Sequence, residues 1–231
     1  MWFGILHENN LESINFDSFD DISKYNNIYL VSCCHNQLTI LPKLPDTIEF
    51  IYCYNNNLSE LDNLPNSLKE ISCYSNQIKI INKFPPNLKY INCCVNKLTK
   101  LPELPNSLLT LLCSNNQLNQ LPELPLYIRK LWCDINQLTE LPELPNCLEM
   151  LSCENNQLTS LPKLPKCLKT LSCVNNQLKS LPQLSSTLEK LYCNNNLLTS
   201  LPELPDTITY IECNNNKFIK ILKYLNHIIN L

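Results

Sequence analysis

Apolar side chains recur in this chain at a fixed interval of twenty residues. Taking Leu148 as position one of LEMLSCENNQLTSLPKLPKC, the apolar positions are 1, 4, 6, 11, 14 and 17, with Asn at position 9. Position 4 runs Val31, Ile51, Ile71, Ile91, Leu111, Leu131, Leu151, Leu171, Leu191 and Ile211. Position 6 is Cys in all ten copies, from Cys33 to Cys213, and position 9 is Asn in all ten, from Asn36 to Asn216. Around positions 3 to 7 apolar and polar residues alternate with period two, which predicts a short strand with one buried face. A single strand cannot bury that face. Stacked neighbours merge their faces into one continuous core, so a fixed period of this length predicts a solenoid. At a strand spacing of about 4.8 Å, ten rungs stack to a length of about 45 Å.

The rest of each repeat is too short to hold turns and a helix as well. Its LPELP-type prolines fix φ near −65° and remove amide donors, which favours an extended or polyproline-like return. The expected fold is therefore mainly β: a parallel sheet on one side, extended, polyproline-like or 3-10 segments on the other, and little helix.

The ends depart from the pattern. Leu6, Asn9, Leu11 and Ile14 fit repeat positions 6 to 14, so residues 2–15 are expected to form a degenerate first rung. The insert FDSFDDISKYNN (16–27) lengthens its turn and has room for a short helix. Residues 1–27 thus form an N-terminal cap, 28–217 the repeats (the last copy running to about 227), and 218–231 a C-terminal cap. In that cap Phe218, Ile221, Leu222, Leu225, Ile228 and Ile229 have helical spacing, while Ile228 and Leu231 also fit positions 1 and 4 of an eleventh strand.

The pattern L-x-x-L-x-C-x-x-N-x-L-x-x-L-P-x-L-P-x-x resembles the leucine-rich repeat, with Cys where Leu is usual at position 6. The resemblance covers residues 28–227 and implies a horseshoe whose concave side is the parallel sheet. The twenty-residue LPxLP form is similar to the short-repeat class of bacterial effectors secreted into host cells. Similar Asn- and Ile-rich repeat proteins occur in giant DNA viruses of amoebae. In the effector class the repeats are a recognition scaffold, in some members joined to a ubiquitin-ligase domain. Here the segment after Phe218 is too short for such a domain, and no pair of N-terminal secretion helices is evident.

Composition narrows the chemistry. The chain has 231 residues and a net charge of −3, with no run of Lys or Arg, which argues against a nucleic-acid surface. No stretch is apolar for the roughly 18–20 residues a membrane helix requires. The start, MWFGILHENN, lacks the basic residue that opens a signal peptide, so the expected location is a reducing cytoplasm, in the chain's own cell or a host's, with cysteines as thiols. There is no Ala, one Gly and one Arg, a bias expected of an AT-rich genome. Against that bias the sixteen prolines point to a structural role.

The ladder cysteines are expected to be small core hydrophobes rather than metal ligands, because a zinc site needs ligands that converge. Buried among leucines, they should be inert. Cys34 and Cys94 lie three rungs apart, too far to bridge, whereas Cys147 and Cys167 share position 20 on adjacent rungs and could approach bridging distance. The Asn ladder is expected to satisfy backbone groups where the chain leaves the strand. Catalysis has little support: the three histidines, His7, His35 and His227, accompany no nucleophile, and one glycine cannot make a phosphate loop. No cofactor or metal is expected. Glu103, Glu123, Glu143 and Glu203 form a column on the return side, expected to be a solvated face.

Positions 3, 5 and 7 point out of the sheet, and there the copies stop agreeing. Phe50, Tyr52, Tyr54, Tyr74, Tyr90, Lys130, Trp132, Asp134, Glu154, Tyr192 and Tyr210 are the candidate partner-binding residues. Exposed aromatics on a rigid sheet are typical binding anchors, although stacking between rungs would also place them there. The expected function is a non-enzymatic scaffold that grips an unidentified protein, neither nucleic acid nor membrane. The alternatives are a self-assembling structural protein and, last, an enzyme of unrecognised class.

Overall fold

The computed structural model describes residues 2–7, 10–15, 28–218 and 229–230, with side chains for 28–218. It comprises two compact units, Met1–Gln117 and Leu118–Leu231. Both have the same cause: strands that recur with the sequence period pair in parallel and in register.

The first unit contains β1 (Trp2–His7), β2 (Asn10–Asn15), β3 (Ile28–Ser32), β4 (Phe50–Tyr52), β5 (Glu60–Leu61), β6 (Glu70–Ser72), β7 (Ile80–Ile81), β8 (Tyr90–Asn92) and β9 (Thr110–Leu112). Its main sheet has the order β9-β8-β6-β4-β3-β1-β2. From β3 to β9 every pairing is parallel, and Val31, Ile51, Ile71, Ile91 and Leu111 form one column. The second unit contains β10 (Lys130–Trp132), β11 (Met150–Ser152), β12 (Thr170–Ser172), β13 (Lys190–Tyr192), β14 (Tyr210–Glu212) and β15 (Ile229–Asn230), all parallel. No helix occurs among the described residues. Each unit is thus a β-solenoid.

Two expectations about the ends are corrected. Residues 2–15 do not form a degenerate parallel rung: β1 pairs antiparallel with both β2 and β3. Only two residues separate β1 from β2, and parallel strands need a crossover of a dozen or more, so a hairpin is the arrangement that spacing permits. At the other end β15 is strand, pairing Ile229 with Ile211 rather than bringing Leu231 to that column. The proposed helices in 16–27 and 219–228 lie outside the described residues.

The interior is a set of columns. Positions 1, 4 and 6 are buried throughout and position 11 in every copy but the last, where Phe218 is half-buried; Leu148, Leu151, Cys153 and Leu158 illustrate the set. The ladder thiols are weak donors to the next strand: Cys93 Sγ to Leu112 O at 3.4 Å, Cys153 Sγ to Ser172 O at 3.5 Å. The Asn ladder does what its position predicts. Asn156 Nδ2 donates to Cys133 O at 3.0 Å and Cys153 O at 3.2 Å, while Oδ1 accepts from Leu138 N at 3.0 Å. Asn76 makes the equivalent bonds in the first unit. Aspartate lacks the donors and leucine lacks both roles, so the amide is the side chain that fits.

A second ladder was not anticipated. Hydroxyls at position 20 donate to the position-1 carbonyl of the same copy, as Thr47 to Ile28 O (2.7 Å) and Thr207 to Leu188 O (2.8 Å). Cys147 and Cys167 occupy this column, one half-buried and one exposed, and both are free thiols. Position 8 carries the other unanticipated regularity. All ten residues there, from His35 to Asn215, have φ between 51° and 56°. Asn tolerates this left-handed region and six of the ten are Asn, but Val95 and Ile135 are β-branched, for which it is strained.

Most return segments are extended and carry Pro at position 15. Where Asp62 and Asn82 replace that proline, the amide donor returns and β5 pairs in parallel with β7 as a small second sheet. Asn82 Nδ2 also donates to Asp62 Oδ1 there. Elsewhere on this side Glu103, Glu123, Glu143 and Glu203 are exposed, the solvated column expected of them.

Candidate partner-binding faces

In each three-residue strand the middle residue is buried and its neighbours stand on the open face, so position 3, 5 and 7 side chains line up rung above rung. All eleven candidate residues are placed on these faces and all are half-buried. The two units use different chemistry.

The face of the first unit is aromatic. Tyr54 and Tyr74 stack with centroids 4.6 Å apart and planes 11° apart, and His35 meets Tyr54 edge-on at 5.3 Å. Part of this column therefore stabilises the sheet directly, by roughly 0.5–1.5 kcal/mol per aromatic pair beyond burial. Tyr52 Oη donates to Glu70 Oε1 at 3.2 Å. Burial pushes the Tyr52 phenol up to about 12, with the Glu70 charge adding to it, and raises Tyr90 in the same way. Both phenols are neutral at physiological pH, and Tyr52 acts as a donor. Phe50 and Tyr90 flank Glu70 on the neighbouring strands.

The face of the second unit is ionic and hydroxylic. Lys130 Nζ lies 3.8 Å from the centroid of the Trp132 ring, a cation–π contact. Ser152 Oγ donates to Asp134 Oδ1 at 2.5 Å, Glu154 N donates to the same oxygen at 2.9 Å, and Ser172 Oγ donates to Glu154 Oε1. Tyr192 and Tyr210 are tilted against each other at 5.3 Å, and Tyr210 Oη donates to Glu212 Oε1.

Away from these faces, Leu126 and Tyr127 stand 74% and 65% exposed in a turn where most copies have polar residues. They break the repeat at positions 19 and 20, a departure visible in the sequence but away from positions 3, 5 and 7. Beside them Glu149 pairs with Arg129 at 3.5 Å and Lys169 at 3.1 Å, solvent-exposed ion pairs worth at most about 1 kcal/mol each.

The buried thiols offer no reactive site. Burial pushes Cys33 and Cys73 up to about 12, and Cys53, Cys93, Cys153, Cys173 and Cys193 rise for the same reason. A thiol held neutral is neither nucleophile nor metal ligand. Among the described residues no group of three or more His, Cys, Asp or Glu is placed to hold a metal ion, and no helix is long and apolar enough to cross a membrane.

No protein-family model and no curated protein matches the chain. Solved structures do. YopM from Yersinia enterocolitica WA-314 matches with a TM-score of 0.82 and 35% identity, over 83% of this chain and 43% of that one. YopM from Yersinia pestis, a leucine-rich effector protein, matches with a TM-score of 0.78 and 34% identity, over 86% of this chain and 63% of that one. InlJ from Listeria monocytogenes, whose functional domain includes a cysteine ladder, shares the fold at a TM-score of 0.61 and 22% identity, over 87% of this chain and 56% of that one. This chain thus spans less than two thirds of each of these proteins. Period, register, buried Asn and Cys columns and these likenesses agree: the chain is a leucine-rich repeat protein of the short, twenty-residue class.

Proposed function

We propose that the chain is a non-enzymatic scaffold that binds a partner protein on the open, concave face of its sheets, in a host-directed role. One observation carries the reading. The same strands that repeat one residue per column on the buried side present Phe50, Tyr52, Tyr90, Trp132 and Lys130 on the other, where folding asks for no such set. Half-buried aromatics and a cation stacked on indole have the composition of interface anchors. The host-directed part draws on the likeness to an effector protein from Yersinia pestis.

The test is recovery of a partner from host lysate by the wild-type chain and by Tyr52→Ala, Trp132→Ala and the return-side control Glu143→Ala, with partners identified by mass spectrometry. At least tenfold loss is expected for the first two and none for the control, with thermal melts unchanged. Undiminished recovery by both face variants would remove the concave face from consideration. Exposed Leu126 and Tyr127 favour self-association as the second reading. Light scattering separates it: a monomer across micromolar concentrations excludes it.

A further inference from the structure

The face of the first unit contains an unexplained charge. Among positions 3, 5 and 7 of the rungs from 30–34 to 110–114, Glu70 is the single charged residue. It stands in register between Phe50 on β4 and Tyr90 on β8, with strands about 4.8 Å away on each side. Tyr52 Oη holds its Oε1 at 3.2 Å, which fixes the carboxylate in place. Oε2 takes no hydrogen bond from a described residue, and no described Lys or Arg pairs with the group. Lys69, the preceding residue, pairs instead with Glu49 at 2.7 Å.

A half-buried carboxylate among aromatic rings loses hydration and gains one phenol hydrogen bond in return. The second unit resolves its own charges differently: Lys130 lies on Trp132, and serine hydroxyls meet the carboxylates of Asp134 and Glu154. In the first unit no described residue supplies the opposite charge, and the site is open to one from outside. Its surroundings say which kind. Ring faces carry negative quadrupole density and attract a cation, as the carboxylate does. Guanidinium is planar, stacks on aromatic rings, is weakly hydrated and offers a fork of donors to a carboxylate, whereas ammonium is a strongly hydrated point charge.

We propose that Glu70, with Phe50, Tyr52 and Tyr90 around it, receives an arginine side chain of the partner protein. The inference rests on the proposed reading of the open face as the binding surface, and it adds the chemistry of what docks there. The carboxylate orients the guanidinium, the rings sandwich it, and the neutral Tyr52 hydroxyl keeps Glu70 from turning away.

The test uses the full chain carrying ¹³C-labelled Phe and Tyr, titrated with N-acetyl-arginine amide and followed by aromatic NMR shifts. Saturable shifts confined to Phe50, Tyr52 and Tyr90 are expected. N-acetyl-citrulline amide, the same shape without charge, should shift them at least tenfold more weakly. Glu70→Gln should weaken arginine binding at least tenfold, and Glu143→Gln on the return side should leave it unchanged. Equal response to citrulline, or arginine shifts that persist in Glu70→Gln, would overturn the assignment. If arginine fails while Tyr52→Ala still abolishes partner recovery, the arginine site falls and the binding face stands. If arginine binds while recovery is insensitive to both face variants, the site exists and the wider reading falls.

Discussion

The two sides of a strand such as β11 obey different rules. Leu151 and Cys153 face inward and have the same or nearly the same residue in every copy, whereas Met150 and Glu154 face outward and differ from the copies on both sides, and Ser152 matches Ser172 but not Trp132. The contrast follows from contact. An inward residue meets its own kind at one strand spacing on both sides, so a change of volume or polarity is felt by two neighbours at once. An outward residue answers only to solvent and to whatever binds. Stability should therefore respond to the inner columns and recognition to the outer ones.

The largest expected effect tests the inner side as a whole. Burial raises the ladder thiols from an ordinary value of 9.0, to about 12 for Cys33 and Cys73. Below pH 9 these thiols are neutral whether the chain is folded or unfolded, so their contribution is complete. As pH rises from 9 towards 12 the unfolded chain gives up its protons and the folded one cannot, so stability falls. Each thiol costs about 1.4 kcal/mol per pH unit, and several together exceed a typical 5–15 kcal/mol of stability within about two units. Circular dichroism should report a chain folded at pH 8 and largely unfolded by about pH 11. Folding that persists at pH 11.5 would mean that the Cys column is far more open than its burial indicates.

A single inner residue sets the next scale. Asn156→Ala leaves Leu138 N without its buried acceptor and takes one of two amide donors from Cys133 O and from Cys153 O, which keep Asn136 and Asn176. An unmet buried group costs about 1–3 kcal/mol, so the loss should be about 2 kcal/mol, or roughly 4–8 °C in the melt. Met150→Ala, on the outer side of the same rung, should cost under about 1 kcal/mol. Equal losses would erase the distinction between the two sides.

Much of this was legible in the sequence because a period multiplies weak signals. One Cys at position 6 says little, but ten at one interval specify register, burial and inertness together. The strands, the Asn ladder and the solvated Glu column followed from that. What was missed lacked repetition, depended on the partner strand or, like the turn at position 8, lay in the backbone rather than in residue type. The antiparallel β1–β2 hairpin turns on the two residues between the strands, which a search for rungs overlooks. The β5–β7 sheet arises from two absent prolines, at Asp62 and Asn82, and an absence draws less notice than a motif. At the site, positions 3, 5 and 7 were readable from alternation alone. The contacts that distinguish Tyr54, stacked and structural, from Glu70, uncompensated, depend on side-chain geometry that no spacing encodes.

The smallest effect concerns a position that belongs to neither side. Position 8 turns the chain out of the sheet with φ near 55°, and Asn there also links rungs, as when Asn175 Nδ2 donates to Asn155 Oδ1 at 2.8 Å. Ile135 has φ 51°, is 51% exposed and follows Asp134 and Trp132 of the candidate face. A β-branched residue pays about 1–2 kcal/mol for this conformation, and Asn pays less. Ile135→Asn should therefore raise stability by about 1 kcal/mol, a gain of about 2–4 °C in the melt. If Ile135 is kept for binding, the same variant should recover less partner from lysate while melting higher. A gain in stability with recovery unchanged would assign position 8 to the structural side of the strand. No gain in stability would show that the turn accommodates isoleucine without strain, and the contrast drawn from the buried columns would then not extend to the turns.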